Sequence, residues 1–338
     1  MSVTVKDVAK KAGVATSTVS RVINNSSSIS EATKKKVNQV MLELGYVPNV
    51  AARNLGKGKT NTIALVLPPL KCKEEMSIPF FLEIIESINS EAQNFGISIA
   101  LAISTNFDDL LHNIKRMHKQ KQVDGFILLY SNIGDPVVDY LYKNSLNFTL
   151  VGLPCKNEDN IAYVDNDNQL LGKQATEHLI NNGHRNIIFI TNRINENVHF
   201  ERFFGYQKAM AMAKLPHQDA INIENPEDFS QIEAVFKNTN ATAAVIIEDL
   251  LAFRAIQYFN SIGYAVPEKI SVISFNNTIF SSLTRPYITN IDISIELLGK
   301  YSLHKLIEQM EGKKSHGLKI VVPHHLIEKE TVIKLAAT

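Results

Sequence analysis

The chain has 338 residues, enough for roughly two domains. Hydrophobic residues make up 45% of it and charged residues 20%, an ordinary globular mixture that excludes wholesale disorder. No apolar run reaches the roughly 18 residues of a membrane-spanning helix, and the charges between Lys6 and Lys11 argue against a secretory signal peptide. The two cysteines, Cys72 and Cys155, form no disulfide framework and fit unpaired thiols in a reducing cytoplasm.

The net charge of +1 conceals a basic N-terminal head. Residues 1–60 hold ten Lys or Arg and three acidic residues, a net charge of +7, whereas the remainder holds 25 basic and 31 acidic residues, a net charge of −6. A basic head on a mildly acidic body indicates a polyanion partner for the head alone. A solvated basic face is the alternative interpretation of the same charges.

Three short helices are predicted in this head. Thr4 and then Thr16 are cap candidates for the first two helices, and Gly13 permits the turn between them. Ser30 begins the third helix and Gly45 ends it. The apolar residues recur at helical spacing and predict a small shared core; they are Val8, Ala9, Ala12, Val19, Val22, Ile23, Val37, Val40, Met41 and Leu44.

A helix, a glycine-containing turn and a second helix with exposed hydroxyls and an arginine form the helix-turn-helix pattern of DNA-binding proteins. The second helix would enter the major groove, where Arg21 could donate two hydrogen bonds to a guanine. Periodicity alone leaves a second possibility open, because many three-helix modules have no nucleic-acid role.

The segment after the head is too short to be a stable helix by itself. Asn49 is a good helix cap and residues 50–55 permit a helix, but Gly56 and Gly58 end it before two turns are complete. Isolated helices below about 12 residues are marginal in water, so we expect this hinge to be ordered only on DNA. Leu55 lies in this polar, basic linker without a core to join, and contact with the next domain is one role open to it.

The residues 4–14 and 17–24, with Gly45–Asn49 and Ala52–Leu55, closely resemble the head and hinge of the LacI/GalR family of bacterial transcription repressors. The resemblance extends more loosely over the whole chain. It implies an α/β protein with a helix-turn-helix domain at 1–47, a hinge helix and linker at 48–60, and a periplasmic-binding-protein-like body of parallel sheets at 61–338. It also implies DNA contacts in three classes: base reading by Ala15, Thr16, Ser17 and Arg21, minor-groove insertion by Ala52 and Leu55, and phosphate contacts by Lys6, Asn49, Arg53 and Lys57.

The body alternates apolar strand runs with amphipathic helices, which predicts parallel sheets covered by helices. Strands are predicted at 62–67, 97–103, 123–129, 148–152, 186–191, 221–223, 243–247, 270–275, 318–322 and 325–328. Helices are predicted at 80–95, 107–120, 136–145, 169–182, 203–213, 229–237, 250–262 and 295–310. The resemblance implies two lobes with three crossings between them: an N-lobe of 61–162 and 292–322, and a C-lobe of 163–291 and 323–338.

Ligands of such sheets bind beyond the carboxyl ends of the strands, so a cleft between the lobes is the expected effector site. The resemblance makes Arg202 an effector contact, and the other expected contacts are Phe80, Phe81, Asp165, Asp249 and Asn276. Several positions depart from the family pattern: Ile78 replaces a polar residue, Glu248 replaces an asparagine, and Ser274-Phe275-Asn276-Asn277 replaces Gly-Phe-Asp-Asp, with Asn276 in place of the first aspartate. Core packing is the alternative role of Phe80 and Phe81, and an interlobe ion pair is the alternative role of Arg202.

No motif of an enzyme or a metal site is found. The chain lacks the GxSxG, GxxxxGK[ST], HExxH and GxGxxG patterns. Asp165 and Asp167 have the spacing of a calcium loop, but Leu170 occupies the position that needs glycine, and the adjacent His324 and His325 diverge on a strand. We therefore expect no metal and no cofactor.

The sequence predicts a cytoplasmic, nucleoid-associated, dimeric repressor that binds a pseudo-palindromic operator and no membrane. Residues 126–131, 165–168 and 274–277 resemble the maltose-operon repressors of Gram-positive bacteria, which implies a sugar effector such as maltose or a maltodextrin that releases the DNA. Two alternatives stay open: a catabolite-control regulator triggered by a phosphocarrier protein, and a sugar-binding protein or sugar-cleaving enzyme without a DNA role.

Overall fold

The head and the body form separate compact units, Met1–Thr60 and Asn61–Thr338. The structure is a computed structural model that describes residues 3–24, 26–46, 59–70, 78–193, 196–283, 285–313 and 319–335. In the head it contains the three predicted helices, α1 (Val5–Ala12), α2 (Thr16–Ile23) and α3 (Glu31–Leu44).

Local sequence signals set the ends of the head helices. A capping box begins α1, because the Asp7 backbone amide donates to Thr4 Oγ1 while the Thr4 amide donates to Asp7 Oδ2 at 2.9 Å. Gly13 ends α1 with φ +67°, a backbone angle that favours glycine. Thr16 was the predicted cap of α2, but it is the first helical residue; the cap position is Ala15, whose side chain has no hydrogen-bonding atom. The three helices bury a valine-rich core around Val8, Val19, Val22, Val37 and Val40.

The N-lobe of the body is built on one parallel six-stranded sheet. Its strands are β1 (Thr62–Val66), β2 (Ser98–Ala102), β3 (Gly125–Leu128), β4 (Phe148–Val151), β5 (Ala162–Asp165) and β11 (Lys319–Val321). They lie in the order β11-β5-β4-β3-β1-β2, and all of the pairings are parallel. Helices cover both faces, which explains why the central strands are continuous apolar runs.

The C-lobe repeats this arrangement in a second six-stranded sheet. Its strands are β6 (Ile187–Thr191), β7 (Ile221–Asn222), β8 (Ala243–Ile246), β9 (Ser271–Phe275), β10 (Thr289–Asp292) and β12 (His325–Ile327). The order is β12-β10-β9-β8-β6-β7, and β12 runs antiparallel to β10.

The helices of the body agree closely with the predicted ones. They are α4 (Pro79–Asn94), α5 (Phe107–Lys119), α6 (Pro136–Lys143), α7 (Asn168–Asn181), α8 (Asn197–Met212), α9 (Ser230–Thr239), α10 (Asp249–Ser261) and α11 (Ile295–Met310). The main difference is α8, which begins at Asn197 instead of 203. Its first turns bury His199 and Arg202, and these inward-facing polar residues hide the apolar periodicity.

Two strands, β5 and β10, were not predicted, and they move the lobe boundaries. Because β5 belongs to the first sheet and ends at Asp165, the first crossing lies beyond the boundary expected near 162. β10 extends the C-lobe to Asp292, slightly past the boundary expected at 291.

One buried asparagine joins the three crossings between the lobes. Asn166 lies in the first crossing, and its side-chain amide donates to the Ile293 carbonyl of the second at 3.0 Å and to the Val322 carbonyl of the third at 3.1 Å. The crossings therefore form one hydrogen-bonded unit, about which the lobes can change their separation.

Candidate functional site

The outer face of α2 carries the base-reading residues that the sequence predicts. Ala15, Thr16, Ser17 and Arg21 are exposed, whereas Val19 and Val22 turn inward and are buried. Ser20 is exposed as well, one helical turn beyond Thr16 and Ser17. The base-reading residues implied by the resemblance do not include Ser20, although the sequence pattern and its spacing from Thr16 place it on the same exposed face.

The acidic residues of the head are all engaged within it. Lys11 pairs with Glu43 at 2.9 Å, Lys34 pairs with Glu31 at 2.8 Å, and Asp7 is held in the capping box, which lowers the pKa of its carboxyl. The positive charge of residues such as Lys6 and Arg21, both exposed, is therefore available to a polyanion.

The predicted hinge contacts Asn49, Ala52, Arg53, Leu55 and Lys57 lie outside the residues that the structure describes. Their roles stay predictions from the sequence.

A cavity of about 70 Å³, lined by both apolar and charged residues, lies between the lobes of the body. Its walls come from the carboxyl ends of strands in both sheets, the edge at which parallel sheets bind ligands. Five of the six predicted effector contacts line it: Phe80, Phe81, Asp165, Arg202 and Asn276. The cavity is smaller than the roughly 300 Å³ at which small-molecule pockets begin, so a sugar needs the lobes to separate.

Arg202 on α8 is buried in the C-lobe wall of this cavity. Its Nε donates to Asn168 Oδ1 and its Nη1 to the Ile247 carbonyl, both at 2.9 Å, while the guanidinium lies 4.5 Å from the centre of the Phe275 ring. Burial lowers the pKa of Arg202 to about 10, which leaves it charged at neutral pH. Nη2 has no hydrogen bond to the part of the chain that the structure describes, so both of its N–H groups are unused there.

Asp165 lies at the end of β5, on the floor of the cavity. Its Oδ1 accepts from Asn168 Nδ2 at 2.8 Å, and Asn168 in turn accepts from Arg202. Burial raises the pKa of Asp165 to about 7, against the lowering effects of its hydrogen bonds and of Arg202. Asp165 can therefore gain or lose a proton near neutral pH.

A charged ladder that sequence reasoning missed lines the C-lobe wall. Arg193 pairs with Glu248 Oε2 through Nη2 and with Glu196 Oε1 through Nη1, both at 3.1 Å. Asn192 Nδ2 donates to the other Glu248 oxygen at 2.7 Å. His199 lies 3.7 Å from Glu196, but burial and the nearby arginines lower its pKa well below the ordinary value, so it is neutral. These residues follow β6 and β8. Because ligands of parallel sheets bind beyond the carboxyl ends of the strands, their position in the sequence could have identified them.

Asp249, the sixth predicted contact, does not line the cavity. Its carboxylate accepts a hydrogen bond from the Thr278 backbone amide, and burial raises its pKa to about 7. Lys329 Nζ supports the same loop by donating to Asn277 Oδ1 at 3.0 Å and to Ser281 Oγ at 2.7 Å. Glu248 and Asp249 are adjacent residues after β8. Glu248 lines the cavity, whereas Asp249 does not.

The loop that Asp249 holds presents Asn276 to the cavity. Asn276 has φ +87° and Asn277 has φ +59°, conformations that asparagine tolerates better than most side chains. Across the cavity, Phe80 and Phe81 form an edge-to-face pair with ring centres 5.5 Å apart. Phe81 is also part of the hydrophobic core, so its expected site role and its packing alternative are both compatible with its position.

Four hydrogen-bonding residues join the lobes beside the cavity; we call Ser131, Asn132, Glu196 and Asn197 the clasp. Asn197 of α8 donates its backbone amide to the Ser131 carbonyl at 3.0 Å and its side-chain amide to the Leu153 carbonyl at 2.9 Å. Asn132 and Glu196 form an isolated antiparallel bridge next to these bonds. The clasp therefore links the two lobes directly beside the cavity.

Within the described ranges, no group of three or more His, Cys, Asp or Glu side chains is arranged to hold a metal ion. The same residues contain no helix that is both long enough and apolar enough to cross a membrane.

Known protein families match both the head and the body of the chain. Residues 4–49 match the family described as bacterial regulatory proteins, lacI family, and residues 176–332 match the periplasmic binding protein-like domain. The HTH-type transcriptional regulator MalR of Streptococcus pneumoniae serotype 4 is 33% identical over 338 residues, which cover 97% of this chain and 100% of that relative. Catabolite control protein A of Priestia megaterium is 30% identical, with 96% of this chain and 98% of the relative covered. The solved complex of the transcriptional regulator CelR with cellobiose has a TM-score of 0.74 at 26% identity, and the match covers 97% of this chain and 99% of that one.

A helix-turn-helix head joined to a two-lobed, periplasmic-binding-like body defines a class of DNA-binding transcription regulators. The chain belongs to the LacI family of that class, as its full-length match to these regulators shows. It is therefore a transcription regulator and not an enzyme.

Proposed function

We propose that the chain is a dimeric repressor that binds a pseudo-palindromic operator and releases it when a sugar, maltose or a short maltodextrin, enters the interlobe cavity. The observation that carries this proposal is the position of Arg202. Its Nη2 carries no hydrogen bond within the described residues and lies at a cavity between two lobes, in a chain whose other unit has the helix-turn-helix pattern.

On the DNA side, Ala15, Thr16, Ser17 and Arg21 would read bases in the major groove, because they form the exposed face of α2. Lys6 and the hinge residues Asn49, Arg53 and Lys57 would hold phosphates. Ala52 and Leu55 would enter the minor groove, where an apolar wedge opens a base step. Two copies would place two heads on inverted half-sites.

On the effector side, the cavity combines few fixed polar groups with an aromatic wall, the composition that sugar sites use. Arg202, Asp165 and Asn276 would contact hydroxyl groups, while Phe80 and Phe81 would pack against an apolar face of the sugar. A disaccharide is reasonable, since the CelR structure that resembles this chain is a complex with cellobiose. The name of the MalR relative favours maltose among the disaccharides.

The two sites would be coupled through the separation of the lobes. A sugar exceeds the cavity volume of about 70 Å³, so its binding would change the lobe arrangement to which operator binding is matched. Coupling of this kind typically amounts to about 1–3 kcal/mol.

The test uses the full chain and a pool of random duplexes, from which the protein selects its own operator. We expect the selected sequences to contain two inverted half-sites, and a thermal-shift screen to show a raised melting temperature with maltose or maltotriose. Selected duplexes with one unrepeated site would contradict the dimeric arrangement. Absence of a shift with any sugar would contradict the effector assignment.

A second candidate is a catabolite-control regulator triggered by a phosphocarrier protein, which the similarity to catabolite control protein A favours. Release of the selected duplex by sugar alone, without a protein partner, would exclude it.

A further inference from the structure

We propose that Glu248 makes the interlobe cavity selective for uncharged polyhydroxyl ligands over their phosphorylated counterparts. This inference rests on the proposed sugar function and names the chemical class of the ligand. Nothing in the resemblance to the family implies it, because the family pattern has an uncharged asparagine at this position.

Among the described residues that line the cavity, no cation is in excess. Arg193 is shared between two carboxylates, those of Glu196 and Glu248, and its charge is neutralised by them. Arg202 faces Asp165 through the bridging amide of Asn168. His199 is buried and uncharged. A phosphate group entering this cavity would meet at least as much negative as positive charge.

Part of the Arg202 guanidinium is also in use. A guanidinium binds phosphate best with two parallel N–H groups. Arg202 has committed the only N–H of Nε to Asn168 and one N–H of Nη1 to the Ile247 carbonyl, so its Nε–Nη2 side cannot offer two parallel N–H groups to a ligand.

Two of the helix N-termini at the cavity carry a carboxylate. Helix N-termini attract phosphates through free backbone amides and a partial positive charge. Here α8 begins directly after Glu196 and α10 directly after Glu248, and neither carboxylate caps its own helix. Both residues line the cavity, so their negative charges oppose the attraction of these two helix ends for an anion. The first amide of α8 is in addition used by the Ser131 carbonyl.

Glu248 is at the same time a suitable acceptor for hydroxyl groups. Asn192 and Arg193 hold one oxygen each, which leaves lone pairs on both oxygens of a carboxylate fixed in position. A sugar hydroxyl can donate to these lone pairs, whereas a phosphate dianion has no proton to donate and is repelled.

Isothermal titration of the full chain with maltose and with maltose 6′-phosphate tests the proposal. We expect the phosphorylated sugar to bind at least about tenfold more weakly than maltose. Glu248→Gln keeps the shape and the Asn192 contact but frees Arg193 from one carboxylate. It should weaken maltose binding by about tenfold and shift the preference toward the phosphorylated sugar.

Glu201→Gln is the matched control, because Glu201 lies on the same helix as Arg202 but pairs with Gln169 at an exposed site. The ratio of the affinities of Glu201→Gln for maltose and for maltose 6′-phosphate should equal that of the wild type. Equal or tighter binding of the phosphorylated sugar by the wild type, or an unchanged preference in Glu248→Gln, would overturn the inference while leaving a sugar function intact. If neither sugar binds the wild type, the sugar function fails, and this inference fails with it.

Sulfate provides a measurement that needs no sugar. Thermal stabilisation by sulfate should be larger for Glu248→Gln than for the wild type and Glu201→Gln, and equal stabilisation of all three would count against the role of Glu248.

Discussion

Asn197, the first residue of α8 in the C-lobe, donates its side-chain amide across the cleft to the carbonyl oxygen of Leu153 in the N-lobe, at 2.9 Å. Its backbone amide donates to Ser131 of the same lobe. The first amides of a helix have no partner within the helix, and in this structure Asn197 takes its partners from the opposite lobe. Asn197 therefore connects the closure of the cleft to the start of the helix that carries Arg202.

Replacing Asn197 with alanine should loosen the clasp. The substitution removes one hydrogen bond between the lobes, worth about 1 kcal/mol, and should increase the rate of hydrogen exchange of the Asn197 region about fivefold. Exchange of residues 196–198, followed by mass spectrometry, measures this. Asn238→Ala, at an exposed position of α9, is the control. Identical exchange in both variants would show that the clasp does not hold the lobes.

Arg202→Ala should separate effector response from DNA binding. The substitution removes the donor proposed for the ligand and leaves Asp165 without its nearby cation, so sugar binding should be lost. We also expect the free energy of unfolding to fall by about 3 kcal/mol, because Asn168 Oδ1 and the Ile247 carbonyl lose their buried donor. Operator affinity without sugar should stay near that of the wild type, which fluorescence anisotropy can measure. A preserved sugar response would remove Arg202 from the site.

Asp165 should make stability depend on pH in a defined direction. Its pKa is raised from 3.8 in its ordinary state to about 7 in the folded protein, so the native state keeps a proton that the unfolded state loses. The stabilising effect of the protonated Asp165 is therefore fully present below about pH 4. It decreases as the pH rises toward 7 and does not change further above about pH 7. Asp165→Asn removes this titration, so its stability relative to the wild type should rise over that range by up to about 1.4 kcal/mol per pH unit.

Urea unfolding of both proteins between pH 4.5 and pH 7.5 checks this direction. Comparison with the wild type at each pH cancels the effect of His199, whose lowered pKa acts in the opposite sense. A difference between the two proteins that does not change with pH would contradict the burial of a titrating Asp165.

Substitutions in the head should separate residues that contact bases from residues that contact phosphates. Arg21→Ala is expected to cost about 1–3 kcal/mol on the selected operator and to reduce its preference over random duplex. Lys6→Ala should weaken binding to all duplexes by a similar factor and lower the salt dependence by about one unit. Salt titrations on selected and random duplexes measure both effects. Equal losses on both duplexes for Arg21→Ala would assign that residue to phosphates.

The sequence predicted the elements of the fold well because most of them carry strong local signals. The strand β1, the helix α11 and the glycine-ended helices of the head follow directly from periodicity and caps. β5 and β10 were missed since each is a short run bounded by polar residues that serve the crossings. The start of α8 was missed for a related reason, because its first turns bury polar side chains where a helix pattern expects apolar ones.

The candidate site was predicted only in part. Arg202 and Asn276 came from the family resemblance, and both line the cavity. The ladder of Arg193, Glu196 and Glu248 depends on contacts between residues that are distant in sequence, so no local pattern reveals it. Asp249 was expected in the cavity, but its carboxylate accepts a hydrogen bond from the Thr278 amide, and the preceding residue, Glu248, lines the cavity instead. The sequence does not specify which of these two adjacent side chains faces the cavity.

The most direct test of the account is the affinity of the full chain for its selected operator, measured by fluorescence anisotropy with and without saturating maltose. Maltose should weaken operator binding by the wild type by about tenfold or more. Arg202→Ala should bind the operator with the same affinity in the presence and absence of maltose. An operator affinity that is identical in the presence and absence of each maltodextrin tested would contradict it.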